Sequence, residues 1–440
     1  MENNSKGIGL FSCIMLIAGG MVGSAIFSLS GLTIYMAGPA AVLSWIIGGF
    51  LMLFYGLVCT ELASIFPRSG GVFVFPAMAL GKRAETGILW GWISTWGYIY
   101  SNIMATAFSA MYVGIYISAG FDIGMDIVIP AALVSIFLCA LINIFNFSFT
   151  TRVNTVLVVS LVVSLSVYVF VAFTCGNWDF GSLSPFFTQG ALGGTGFLAA
   201  APTAMMGYSA VVAAAFMVSE VRNPRRTISV AMLVAMGIVM VLYISVIVAT
   251  VGLVSASYLK ENPDMTFIPL YAASFTALVD YPWIAKVISV AAVLALLTTI
   301  IAMFALSGRT IRAAAEKGLF PASFSVYGRN GAPVVPVLIC AAVSGVVVCF
   351  PSFVSYIVSF GVLLTTVTVF INIISLIAAR KKDPGKYFIL RGGNFIPYAL
   401  MGILLLCYVP EIISGGWKVW IFSLCWYVLG IVIYLAKKRK

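Results

Sequence analysis

The sequence predicts an all-α polytopic membrane protein, and three observations lead to this fold class. Of the 440 residues, 62% are hydrophobic and only 8% are charged. Apolar runs long enough to cross a bilayer as helices alternate with short polar loops along the chain. Because about a quarter of the residues of a soluble domain are charged, the composition excludes a soluble fold.

The apolar runs divide residues 1–440, a single transmembrane domain, into twelve predicted spans. In order, these spans are 9–35, 39–64, 86–118, 124–147, 152–174, 193–219, 227–255, 281–308, 333–350, 353–379, 394–412 and 417–436. The runs 86–118 and 281–308 exceed the length that a bilayer requires, so we expect them to tilt or to project from it. Residues 66–84 are semi-apolar and contain prolines and glycines, which indicates a short amphipathic segment after the second span.

The basic residues predict the orientation. With the N-terminus inside, all but Lys260, Lys286 and Lys418 of the 24 lysines and arginines fall on the cytoplasmic side. By the positive-inside rule, we expect both termini to be cytoplasmic. We expect the membrane to be of the bacterial inner (plasma) type. The net charge of +11 does not indicate a nucleic-acid partner, because it lies in short loops between spans.

The residues that bind cofactors and metals elsewhere are scarce in this chain. There is no histidine, and the eight cysteines lie almost all within apolar spans without metal-like spacing. We therefore expect no metal and no cofactor, and we interpret the cysteines as small core residues.

Span 1 contains an interruption, residues 19–25 (GGMVGSA). Three glycines within five residues disfavour a continuous helix, and in a bilayer a broken helix is tolerated where its freed backbone groups face protein or a water-filled cavity. Freed N–H groups attract an anion such as a carboxylate, and freed C=O groups attract a cation such as an ammonium. An amino acid carries both groups. The alternative is that the glycines only permit close helix packing.

Span 6 contains a second interruption at the corresponding place. Pro202 lies within it, and the sequence Gly-Tyr-Ser-Ala from Gly207 repeats the Gly-Ser-Ala of span 1. Interrupted helices at corresponding positions of two halves indicate a transporter site near the bilayer midplane. A proline-kinked core helix is the alternative interpretation.

Acidic residues are scarce within the spans. Glu61 ends span 2 and Glu220 ends span 6, both near basic residues, so we predict structural ion pairs, with an inner gate at Glu220 as a further role. No charged residue falls at the centre of a span. A charged substrate side chain would meet no counter-ion there, which favours a neutral or zwitterionic substrate.

Four segments carry a family resemblance. They are GGMVGSAIFSLSG in span 1, ELASIFPRSGG at 61–71, SEVRNPRR at 219–226 and RAAAEKGLFP at 312–321. The first is similar to a G-x-G-I-F run, and the others resemble E-L-x-x-x-x-P-x-S-G-G, E-x-x-N-P-x-R and A-x-D-G-x-F/L-P. This ordered set resembles the amino-acid permeases of the amino acid–polyamine–organocation (APC) superfamily over nearly the whole chain.

The resemblance implies a LeuT-type fold that works by alternating access. Two inverted five-helix repeats, spans 1–5 (about 9–174) and spans 6–10 (about 193–379), would be followed by two extra spans within about 394–436. A bundle of spans 1, 2, 6 and 7 would move against a scaffold of spans 3, 4, 8 and 9.

The resemblance also implies a substrate site. The carboxylate would bind amides near Gly23, Ser24 and Ala25, and the ammonium would bind carbonyls near Gly20 and Met21 and from Met206 to Ser209. Tyr208 or a neighbour would be an occluding aromatic. The substrate-binding residues are then Gly20, Met21, Gly23, Ser24, Ala25, Met206, Gly207, Tyr208, Ser209 and Ala210, with Met303, Phe360, Thr365 and Thr368 lining the rest of the pocket.

Departures from the family pattern bear on substrate and coupling. Ala25 and Ala210 stand where the family commonly has glycine, and a lysine found midway along span 5 in many members is replaced near Leu161. Met303 or a neighbour stands where arginine-exporting relatives have tryptophan. We therefore predict a transporter, not an enzyme, that exchanges neutral L-amino acids.

Alternatives remain open at this point. They are a proton-coupled amino-acid uptake permease, a cationic amino-acid or polyamine antiporter and, in other classes, an ion channel, an intramembrane enzyme or a non-transporting sensor. The expected partners are the amino-acid substrate and the lipid bilayer. The sequence predicts no oligomeric state.

Overall fold

In a computed structural model, the protein is a succession of helices. The structure describes residues 7–81, 83–145, 147–174, 177–328, 331–350, 354–382, 390, 392–414 and 416–438. In these residues the α-helices are α1 (Leu10–Met21), α2 (Ser24–Ala37), α3 (Ala41–Ile65), α4 (Gly71–Ala79), α5 (Ala84–Phe121), α6 (Val128–Ile144), α7 (Phe147–Thr174), α8 (Gly196–Met206), α9 (Ala213–Phe216), α10 (Pro224–Leu253), α11 (Ala256–Glu261), α12 (Pro269–Ala277), α13 (Pro282–Ala315), α14 (Val334–Val348), α15 (Val354–Lys382), α16 (Phe395–Ser414) and α17 (Gly416–Lys438). The predicted all-α polytopic fold class is confirmed.

Every predicted span coincides with one helix or with a broken pair, α1 with α2 for span 1 and α8 with α9 for span 6. By length and hydropathy, however, eight segments of the described chain suffice to cross a membrane, and the bent pair in span 6 makes a ninth. The difference from twelve has physical causes. The glycines of span 1 leave α1 short, α14 and α16 contribute only short apolar helices, and α2 joins α3 in one 42-residue apolar stretch.

The two longest helices, α5 and α13, pack against each other in the centre of the molecule. At 38 and 34 residues they are about 57 and about 51 Å long, well beyond the roughly 30 Å of a hydrocarbon core. Helices α6 and α14 pack on this pair, whereas α1, α3, α8 and α10 pack on one another beside it. The fold thus contains two groups of helices whose contact surface runs past the break between α1 and α2.

Two segments differ from the sequence-based expectation. The predicted amphipathic segment after span 2 is α4, but its residues Val72, Phe73 and Phe75 are buried, and the helix packs along α5 instead of lying on the surface. The short helices α11 and α12, between spans 7 and 8, were not predicted, and both pack on α2. The turn between α11 and α12 packs on α2 as well, and a glycine is needed there, because a Cβ on Gly31 of α2 would collide with the Thr266 carbonyl oxygen.

Glu61 forms a buried ion pair that connects three parts of the chain. Arg380 of α15 donates from Nε to Oε1 and from Nη2 to Oε2 of Glu61, both at 2.6 Å. The Leu390 amide donates to Oε2 at 2.9 Å, and Arg380 Nη1 donates to the Gly393 carbonyl at 2.6 Å. Glu61 is 2% exposed, so these partners and not water satisfy its carboxylate oxygens. The pair therefore fastens α3, α15 and the segment before α16 together.

We expect Glu61→Gln to lower the free energy of unfolding by about 3 kcal/mol, because it leaves the Arg380 guanidinium partly buried without its counter-charge. Thermal unfolding of the detergent-purified protein measures the change. The matched control is Glu316→Gln, which breaks the pair with Arg312, where the Glu316 side chain is 48% exposed. Surface pairs contribute about 0–1 kcal/mol. Equal losses in the two variants would contradict the structural role of Glu61.

Candidate functional site

A cavity of about 130 Å³ lies where the two broken spans meet, beside the middle of α5 and α13. Residues of α1, α2, α3, α5, α8, α9, α13, α15 and α16 contribute to its wall. The lining residues of the described chain carry no formal charge. In that part of the chain, no group of three His, Cys, Asp or Glu could hold a metal ion.

Ten of the predicted site residues line this cavity. They are Gly20, Met21, Ser24, Ala25, Met206, Ser209, Ala210, Met303, Thr365 and Thr368. Gly23, Gly207 and Tyr208 lie behind the wall, where they shape the breaks. Phe360 belongs to α15, but its side chain lies outside the described residues.

Gly23 permits a close approach of the two helix groups. A Cβ at this position would collide with Oγ1 of Thr299 on α13 and would lie 3.1 Å from its Cβ. The approach allows the Ser24 amide, at the start of α2, to donate to Thr299 Oγ1 at 2.9 Å. An amide predicted to bind a carboxylate is thus satisfied by a hydroxyl oxygen of the protein itself.

The carbonyl side of the breaks is held by a residue that sequence reasoning missed. The Tyr243 hydroxyl, on α10, donates to the Met21 carbonyl oxygen and lies 3.3 Å from the Gly207 carbonyl oxygen. A phenol carries one proton, so the two carbonyls share one donor. Tyr243 is fully buried within an apolar span. Tyrosine in a membrane span is typically found near the interfaces. The position of Tyr243 in the middle of predicted span 7 was therefore the sequence signal that could have identified it.

Tyr208 supports the break in span 6 instead of facing the cavity. Its buried hydroxyl donates to the Trp45 carbonyl at 3.2 Å, and its ring meets the Trp45 ring edge-on at 5.9 Å between centroids. The Tyr243 ring meets Trp45 at 4.9 Å. A Cβ on Gly207 would lie 2.8 Å from the Trp45 ring, so this glycine lets the aromatic cluster close. The aromatic residues of the cavity wall are Tyr55, Tyr98, Phe108, Phe216 and Tyr408.

A second ion pair and backbone contacts connect the helices on the predicted cytoplasmic side. Arg309 of α13 donates to both carboxylate oxygens of Glu220 at 2.5 and 2.7 Å, and its Nη1 donates to the Ala305 carbonyl at 2.8 Å. The Ile8 amide donates to the Glu220 carbonyl at 3.0 Å, and the Arg222 amide donates to the Ile8 carbonyl at 2.9 Å. This isolated bridge, between Ile8 and Val221, ties the segment before α1 to the end of span 6.

The opposite end of the same helix surface has a contact of its own. Tyr116 of α5 donates through its hydroxyl to the Phe27 carbonyl of α2 at 2.5 Å. The two helix groups are therefore hydrogen-bonded at three depths, through Tyr116 and Phe27, Thr299 and Ser24, and Arg309 and Glu220.

Comparison with known proteins gives a consistent result. The family described as "Amino acid permease" matches residues 8–435. The chain is 26% identical to the branched-chain amino acid permease BcaP of Bacillus subtilis, over 98% of this chain and 93% of that protein. It is 24% identical to the methylthioribose transporter of B. subtilis, over 99% and 94%. It is also 26% identical to cationic amino acid transporter 4 of Mus musculus, over 77% of this chain and 55% of that protein.

We expect Gly23→Ala to weaken amino-acid binding at least tenfold, about 1.4 kcal/mol, because the added methyl group collides with Thr299 and displaces the start of α2, so that the Ser24 amide no longer faces the substrate carboxylate. Ligand-induced thermal stabilisation of the purified protein measures binding. Adding Thr299→Ala to Gly23→Ala removes the colliding oxygen, so we expect partial recovery.

The matched control is Gly402→Ala on α16, where an added Cβ meets no atom within 4 Å. Wild-type affinity in Gly23→Ala would mean that the break does not form the binding site.

Proposed function

Because this chain belongs to the amino acid permease family, we propose that it exchanges neutral L-amino acids across the membrane by alternating access. The observation that carries this proposal is the cavity at the two breaks, whose described wall has no charged side chain. The breaks supply a helix N-terminus at Ser24 and helix C-terminal carbonyls at Met21 and Met206. These ends suit a carboxylate and an ammonium, respectively.

Each charged end of the substrate would replace a hydrogen bond that the protein makes to itself. The carboxylate takes the place of Thr299 Oγ1 on the Ser24 amide. The ammonium binds the Met21 carbonyl and the end of α8, where Tyr243 now donates. The backbone groups at the breaks thus have hydrogen-bond partners both without and with bound substrate, as a site inside a membrane requires.

The three bonds between the helix groups support exchange over net uptake. They join the proposed moving bundle, which contains α2 and the end of span 6, to the proposed scaffold of α5 and α13. The middle bond, Ser24 to Thr299, is the one that a bound carboxylate displaces. This bond restrains an empty carrier and is absent from a loaded one, so return across the membrane with a second substrate is favoured over return of the empty carrier.

The packing of the helices supports two five-span repeats of the LeuT type. In such a fold, each of the first five spans corresponds to the span five positions later, so helix contacts should occur in equivalent pairs. The contact of α1 with α10 corresponds to that of α8 with α3, and the contact of α5 with α6 corresponds to that of α13 with α14. Likewise, the contact of α7 with α13 corresponds to that of α15 with α5. All six pairs are in contact. An odd number of spans per repeat inverts the second repeat relative to the first. The two repeats and the two extra spans make an even total, which is consistent with the predicted placement of both termini on one side of the membrane.

Two alternatives within transport are less well supported. A proton-coupled permease needs a titrating group near the substrate, but Glu61 and Glu220 are both held by arginines, and Leu161 is a fully buried apolar residue. A cationic amino-acid or polyamine antiporter would place an acidic group in the cavity or the tryptophan of the arginine-exporting relatives, and the described wall has neither.

We expect proteoliposomes containing the purified protein to take up labelled alanine or leucine only when an unlabelled neutral amino acid is inside. Sodium and proton gradients should leave the rate unchanged, and internal arginine or putrescine should not support uptake. Vesicles without protein are the control. Uptake into empty vesicles driven by a proton gradient would contradict exchange, and uptake supported by arginine would identify a cationic substrate.

We expect Thr299→Val to raise uptake into empty vesicles at least tenfold, because it removes the oxygen that holds the empty carrier while preserving side-chain volume. The ratio of uptake in loaded and empty vesicles measures the effect. The matched control is Thr298→Val, because the hydroxyl of this buried neighbour donates only to the Ala295 carbonyl of its own helix. Exchange as strict as in the wild type would show that Thr299 does not hold the empty carrier.

A further inference from the structure

Methionine is concentrated in the cavity wall. Six of the 18 methionines of the chain line it, and they are Met21, Met52, Met104, Met205, Met206 and Met303. They come from α1, α3, α5, α8 and α13, so their convergence does not follow from the periodicity of a single helix. The side chains of Met21, Met52, Met205 and Met303 are at most 7% exposed, which places them in the wall and not at a mouth of the cavity.

The polar side chains of the same wall are largely committed to protein partners. Asn102 donates to Ser307 Oγ at 2.9 Å, and Thr365 lies within hydrogen-bond distance of Ser101 at 3.2 Å. Thr368 donates to the Ser94 carbonyl at 3.2 Å. A polar substrate side chain would have to break these bonds and leave buried groups unpaired, so the wall gives it no advantage.

The methionine side chains, in contrast, favour an apolar substrate side chain. Methionine is unbranched, has three rotatable side-chain bonds and is polarizable, so it adapts its shape to apolar groups of different outline. The wall also contains Phe108 and Phe216, whose rings make favourable contacts with sulfur. A substrate thioether entering this wall would meet both kinds of group.

We propose that these six methionines form a side-chain subsite for flexible apolar amino acids, methionine and leucine among them, that excludes polar side chains of equal length. The proposal rests on the proposed function, since the backbone at the breaks binds the main-chain groups and the methionine side chains contact only what lies beyond Cβ. Alanine, whose side chain ends at Cβ, reports on the main-chain site alone. The two sites are thus separable by experiment.

The first test needs no variant. Methionine, norleucine, leucine and glutamine compete with labelled alanine for exchange in proteoliposomes of the wild-type protein. We expect methionine, norleucine and leucine to inhibit at least tenfold more tightly than glutamine, and methionine at least as tightly as norleucine. Glutamine inhibiting as tightly as methionine would overturn the subsite. Absence of alanine exchange altogether would instead overturn the proposed function on which the subsite rests.

The second test stiffens the wall. The double variant Met52→Ile and Met303→Ile replaces two flexible side chains on α3 and α13 with β-branched ones, which have a restricted χ1 angle. We expect the affinity ratio of methionine to alanine to fall at least tenfold. The matched control is Met236→Ile, because Met236 on α10 is fully buried but is not part of the cavity wall. Parallel loss of methionine and alanine affinity, with the ratio unchanged, would overturn the subsite.

Discussion

The structure depends on how a broken helix is satisfied inside an apolar medium. At the break of span 1 the chain gives up helical hydrogen bonds where no bulk water can replace them. Gly23 lets α13 approach closely enough for Thr299 to accept from the Ser24 amide, and Tyr243 donates to the Met21 carbonyl. The position of the cavity follows from these contacts, because they fix where the helix ends point.

The second break is stabilised by aromatic packing, whereas the first is hydrogen-bonded to Thr299 of α13. Trp45, Tyr208 and Tyr243 form a buried cluster behind the end of α8, and the indole Nε1 of Trp45 donates to Thr33 Oγ1 at 2.9 Å. Edge-on aromatic pairs contribute about 0.5–1.5 kcal/mol each beyond the area that they bury. Since Tyr243 belongs both to this cluster and to the first break, the two interruptions form one mechanical unit.

The sequence predicted the features that depend on local composition. Runs of apolar residues located the helices, and glycine and proline located both breaks, because hydropathy and helix propensity act over a few residues. The sequence did not identify Arg380 as the partner of Glu61, 319 positions away, or Tyr243 as the donor between the breaks. These pairings arise from the tertiary packing of spans. For the same reason Tyr208 could be located in the break, but the side that its ring faces could not be predicted.

The backbone bridge between Ile8 and Val221 couples the segment before α1 mechanically to the end of span 6. A Cβ on Gly7 would lie 2.8 Å from the Arg222 amide nitrogen, so the chain is seated directly against the end of span 6 as it enters span 1. A load applied to the N-terminal segment is transmitted to both interrupted helices at once. A fluorescent domain or an affinity tag fused there acts on the breaks of spans 1 and 6, whereas the same fusion after α17 is attached to a helix outside both helix groups.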